Sequence, residues 1–150
     1  MKESPQTKKL EEILRSSKLV SGGFMGDDLR GLPEIIDTDT SEVSRLGYTA
    51  GQLGSRMQEI TNTAIAGLGN WVKIDRHREA KVDEAKGQLV CPWPHPGRFA
   101  KRVTTLKLVE PGETVTWSDL NIHLIVEHSF FEGYGSAFRV EPRELVRLIF

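Results

Sequence analysis

The only cysteine of the chain, Cys91, and three of its four histidines fall in two short stretches: Cys91 and His95 in CPWPHPG, His123 and His128 in NIHLIVEHS. One thiolate and three imidazoles are ligand types that a tetrahedral zinc ion takes from a protein, one atom from each residue. Prolines at positions 92, 94 and 96 restrict the backbone between Cys91 and His95, so less conformational entropy is lost when that loop closes on an ion. A site filled by all four residues is closed and structural. If only three bind, a position stays open for water, and a metal-dependent hydrolase becomes conceivable.

The spacing gives this reading limited specificity, because the paired cysteines that mark zinc ribbons are absent. At about 100° per residue, His128 lies roughly 140° around a helix from His123, so the two do not share a face. Asp119, His123 and Glu127 do share one, at intervals of four. Glu127, and after it Asp119, are therefore optional ligands, and His123 with Glu127 is the easier pair on an ideal helix. Without metal, Cys91 is a small buried hydrophobe ending a strand, His123 pairs with Asp119 or Glu127, and His128 sits at a helix C-terminus, where the dipole favours its cation. A joint site requires the CPWPHPG loop to reach the C-terminal end of the helix that carries both histidines.

Other segments carry weaker chemistry. Cys91 with a neighbouring histidine has the residue types of a cysteine-dependent hydrolase, which needs a partly exposed, electropositive thiol. In FEGYGSAFR, Gly133, Gly135, Ser136 and Arg139 could form an anion-binding turn, or could reverse the chain while Arg139 pairs with Glu132 or Glu141. The basic segments KIDRHREAK and RFAKR lie near Trp71, Trp93 and Phe99, the combination used for single-strand stacking. Asp75 and Glu79 interrupt the first of them, and a formal charge of -1 supplies no field to draw the chain onto nucleic acid. SGGFMGDD has the glycines of a phosphate cradle, but Asp27 and Asp28 would repel the ligand, so it reads as a connector.

These residues must be placed by secondary structure. Ser4-Pro5 starts a first helix with Leu10, Ile13 and Leu14 as a narrow stripe. Residues 32–46 fit one helix with a break, or two short ones, around the DTDTS cluster, where Thr40 or Ser41 would cap. Thr49 and Gln52 form a capping box ahead of the clearest amphipathic helix, which carries Leu53, Met57, Ile60 and Ala64 to about Gly67. From Trp71 to about Trp117 the period turns to alternation, giving three to five antiparallel strands, with a turn at Lys86-Gly87 and another at Pro111-Gly112. Thr116 with Asp119 then opens the histidine helix, and Pro142 opens a last one ending on Phe150. The expected fold is α+β in a single domain, residues 1–150: N-terminal helices, a central antiparallel sheet and two C-terminal helices.

The 150 residues, 38% hydrophobic and 27% charged, can bury a core and suit neither a disordered nor a membrane protein. The charged N-terminus lacks a signal-peptide core, and one cysteine excludes an internal disulfide; the expectation is a complete cytoplasmic chain. SGGFMGDD, CPWPHPG and SDLNIHLIVEHSFFEGYGSAFR resemble a set of small bacterial cytosolic proteins with no assigned function, a likeness that runs from Ser21 onward. That resemblance implies a bacterial cytoplasmic origin and supplies no catalytic residue. A non-enzymatic binding or assembly module, including a homo-oligomer formed through tryptophans and C-terminal apolar residues, is the alternative of a different class.

Overall fold

A computed structural model describes residues 4–17 and 22–150. Residues 18–21, at the start of the glycine-rich connector, lie outside the described residues, as do residues 1–3. The elements are α1 (Pro5–Arg15), α2 (Leu32–Arg45), α3 (Ala50–Ile65), β1 (Val72–Asp75), β2 (Arg78–Val90), β3 (Arg98–Leu108), β4 (Thr114–Ser118), α4 (Asp119–His128) and α5 (Pro142–Ile149). The four strands make one antiparallel sheet in sequential order, preceded by helices and followed by two, so the α+β expectation holds.

The main core lies between this sheet and α3, α4 and α5. Ala80, Val82 and Leu106 face Leu53, Met57, Ile60, Ala64, Ile122 and Ile125, and Trp117 closes the layer with no exposed area. The indole N–H of Trp117 donates to the Thr61 hydroxyl at 2.9 Å, and Thr61 meets Thr104 at 2.7 Å, which satisfies the polar atoms buried there. A second cluster holds α1 and α2 against the other side of α4: Leu14, Phe24, Met25, Leu32 and Ile35 pack with Leu120, Leu124, Phe130 and Cys91. Helix α4 is thus covered on two sides, as its all-round apolar sequence requires.

Helix α3 starts as the Thr49–Gln52 spacing predicts, with both reciprocal capping bonds present. Three local expectations fail for definable reasons. Helix α2 is unbroken through DTDTS and has Gly31, not Thr40 or Ser41, at its N-cap. Asp39 inside it is buried and forms a two-pronged ion pair with Arg139, one hundred residues away, which compensates a residue that locally favours a turn. Lys86-Gly87 is not a turn. β2 runs through it with a register shift between Ala85 and Gln88, and Gly87 adopts φ +101°, a conformation as useful to a bulge as to a turn. The cap of α4 is Ser118 with Asn121, two residues beyond the expected Thr116 with Asp119; Thr116 remains in β4, paired with Thr105.

Candidate metal centre

The loop between β2 and β3 is shaped by its own sequence. Cys91 follows the last residue of β2, and the His95 N–H donates to the Trp93 carbonyl at 2.8 Å around Pro94, a three-residue turn that proline's fixed φ favours. This turn carries His95 over the last two turns of α4. There Cys91 Sγ lies 3.5 Å from His128 Nε2, His95 Nε2 lies 3.1 Å from His128 Nε2, and His123 Nε2 lies 3.2 Å from His95 Nε2. One ligand atom from each of the four residues falls within 4.8 Å of all the others, and the group could hold a metal ion.

The helical geometry explains how two poorly aligned histidines take part. His123 and His128 point about 140° apart on the wheel, yet His95 enters between them, so their rings end 5.2 Å apart, nearly perpendicular. Aromatic walls fix the rings. Trp93 stacks on His128 at 4.0 Å between centroids and 8° between planes, Phe99 lies 4.5 Å from His123, and Trp93 also meets Phe130 edge-on at 5.5 Å. Trp93 and Phe99 are therefore turned toward the histidines and not offered to a nucleic-acid base. Their role was visible only as the aromatic interleaving of CPWPHPGRF, a signal that sequence alone did not connect to the imidazoles.

The electrostatics suit neutral ligands. Burial, reinforced by the other histidines, lowers the His128 pKa to about 4, and burial with His95 lowers that of His123, so both imidazoles carry free lone pairs at neutral pH. His95 Nδ1 lies 3.0 Å from the Pro96 carbonyl, which can only accept, so Nδ1 carries a proton and Nε2 is the ring nitrogen turned toward the group. Burial pushes the Cys91 thiol upward, and the residue is 3% exposed. A buried thiol held protonated is a poor nucleophile, which removes support from a cysteine-dependent hydrolase; a cation at the group would convert it to a thiolate ligand.

Neither optional carboxylate belongs to the group. Glu127 is exposed on the outer side of α4, and the Asp119 Oδ2 is taken by Arg102 at 3.1 Å, so the wheel's easier pair, His123 with Glu127, is not the one the fold builds. His77 sits exposed in the β1–β2 turn, away from the centre.

The FEGYGSAFR loop is held by internal contacts. Arg139 binds Asp39, Glu141 and the Glu132 carbonyl, which leaves that cation engaged. Gly133 lies against the Met25 backbone, where a Cβ would come 2.3 Å from the carbonyl oxygen, and Gly135 at φ +85° lies against Asp27. Ser136 donates to Glu132, which is itself 5% exposed; this buried carboxyl was not anticipated from sequence, since a lone Glu in a glycine-bearing loop reads as solvated.

Fold and site together define a small α+β protein with a Cys/His3 group able to hold a metal ion. No protein-family model, no curated protein and no solved structure matches the chain. Among the described residues, no helix is long and apolar enough to cross a membrane.

Proposed function

We propose that Cys91, His95, His123 and His128 bind one zinc ion in a closed, structural site, in a protein that works in a reducing, cytoplasmic setting. The observation that carries this reading is the set of interatomic distances. With Zn–N near 2.05 Å and Zn–S near 2.3 Å, tetrahedral ligands stand roughly 3.3 Å apart for two nitrogens and roughly 3.6 Å for nitrogen and sulfur. Three of the six separations here are 3.1, 3.2 and 3.5 Å, and the remaining three lie within 4.8 Å. Three imidazoles and one thiol favour zinc over hard, oxygen-seeking cations.

The ion would join the β2–β3 loop to the end of α4, two segments that sequence separates by about thirty residues and that otherwise meet through Cys91, Trp93 and Phe130. That is a stabilising role. Four protein ligands leave no position for substrate water, so the reading does not extend to hydrolysis. An assembly role has less in its favour: Trp117 is buried and Trp93 lies on His128, which leaves Trp71 and Phe150 as separate, partly exposed aromatics.

The test is metal content of protein purified without a histidine tag, followed by zinc and cobalt titration. One equivalent bound, with cobalt giving the strong absorption of a tetrahedral thiolate site, is expected. Cys91→Ser should weaken binding and remove the sulfur-to-cobalt band, and affinity should rise with pH as the thiol proton is displaced. Protein that takes up no zinc near neutral pH under reducing conditions would end the proposal.

A further inference from the structure

Asp119 opens α4 one turn before His123. Its Oδ2 accepts from Arg102, but its Oδ1 is the one buried side-chain oxygen or nitrogen among the described residues without a hydrogen-bond partner. A buried carboxylate oxygen left unpaired is costly, and such an atom in a folded protein calls for an explanation. Asp119 and His123 line the same cavity, of about 250 Å³, together with Gln58, Phe99, Ile122 and Glu127. Side chains on a helix lean toward its N-terminus, which tilts that of His123 toward the turn that Asp119 begins. His123 Nε2 faces the metal centre, which leaves Nδ1 as the ring's only other polar atom.

We infer that Asp119 is a positioning residue for the centre, its free Oδ1 accepting the His123 Nδ1 proton when the ion is bound. This rests on the zinc reading above. Coordination through Nε2 places the proton on Nδ1 and makes that N–H a stronger donor, and metal-bound histidines almost always give this proton to a carboxylate, carbonyl or water. His95 already has its counterpart in the Pro96 carbonyl. Arg102 holds the other Asp119 oxygen and also binds Glu84, so the carboxylate is fixed to the β2–β3 pair from which the His95 loop springs. Glu127, one turn after His123, is exposed and has no such anchor.

The experiment measures zinc affinity of full-length protein by competition with a chromophoric chelator, for wild type, Asp119→Ala, Arg102→Met and Glu127→Ala. It also records the imidazole N–H signals of the zinc-loaded protein by NMR. Asp119→Ala should weaken zinc by about 10–100-fold, the usual effect of losing such a partner. Arg102→Met loosens the carboxylate but keeps the acceptor itself, and should weaken zinc by only part of the Asp119→Ala loss. In wild type the His123 Nδ1 proton should be protected from exchange, and Asp119→Ala should abolish that signal while leaving the His95 Nδ1 proton intact, a change that mere loosening of α4 would not produce. Wild type that binds zinc, with Asp119→Ala binding equally well or Arg102→Met or Glu127→Ala matching its loss, overturns the assignment alone. Wild type that binds no zinc overturns the centre and the assignment together.

Discussion

Replacing Glu132 by glutamine should stabilise the protein at high pH and leave it nearly unchanged at low pH. The Glu132 side chain is buried and meets only neutral donors: Asn121 Nδ2 at 2.7 Å and Ser136 Oγ at 3.1 Å. The nearby Arg139 cation is already matched by Asp39 and Glu141. Burial is the main cause that raises the carboxyl pKa from 4.5 to about 7. Between those two values the folded state holds a proton that the unfolded state has released, so stability falls as pH rises through this window and levels off above it. At 1.36 kcal/mol per unit, ionising Glu132 in place costs roughly 3 kcal/mol by about pH 8. Glutamine copies the protonated form, its carbonyl accepting from Asn121 and its amide donating to Ser136, and carries no such cost. Urea denaturation of both proteins at intervals from about pH 5 to pH 8.5 gives the difference directly, and titrations common to both, including those of the histidines, cancel. The gap should open with pH in favour of Glu132→Gln. Parallel profiles, or a glutamine variant that is weaker near pH 8, would refute the description of this carboxyl as a buried acid.

Two further substitutions test the packing around the centre. A Cβ at Gly54 would stand 2.0 Å from Val126 Cγ2 and in ordinary contact, at 3.6 and 3.8 Å, with Val126 Cβ and Ile122 Cγ2, so α4 packs closely on α3 at position 54. Gly54→Ala gains up to about 1 kcal/mol of helix propensity but must force Val126 out of its rotamer or shift α4, and a net loss of about 1–2 kcal/mol is expected by thermal melts; a more stable variant would contradict the close approach. Asp39→Ala leaves the Arg139 guanidinium, 7% exposed at its side chain, without its main partner. The expected loss is about 3–5 kcal/mol, measured by denaturant midpoint, whereas a cost below about 1 kcal/mol would mean that Glu141 and solvent suffice.

How much of this was legible in sequence depends on how far each residue's partner lies along the chain. Thr49 with Gln52, the stripe of α3 and the alternation after Trp71 are local patterns, and local patterns fix element type. Thiolate and imidazole chemistry is likewise a property of residue types, so Cys91, His95, His123 and His128 could be named as candidate ligands from the sequence. Convergence was not local. The wheel sets His123 and His128 apart, and only a proline-shaped loop delivered by the β2–β3 pair supplies the third imidazole that lies between them. The same holds where expectation failed: DTDTS stays helical because Arg139 reaches Asp39 from one hundred residues away, and Glu132 is buried because Asn121 and Ser136 enclose it. Sequence alone determined most element types and which residues carry donor atoms. Tertiary structure decided which donors meet, because burial and contact depend on partners that no local period encodes.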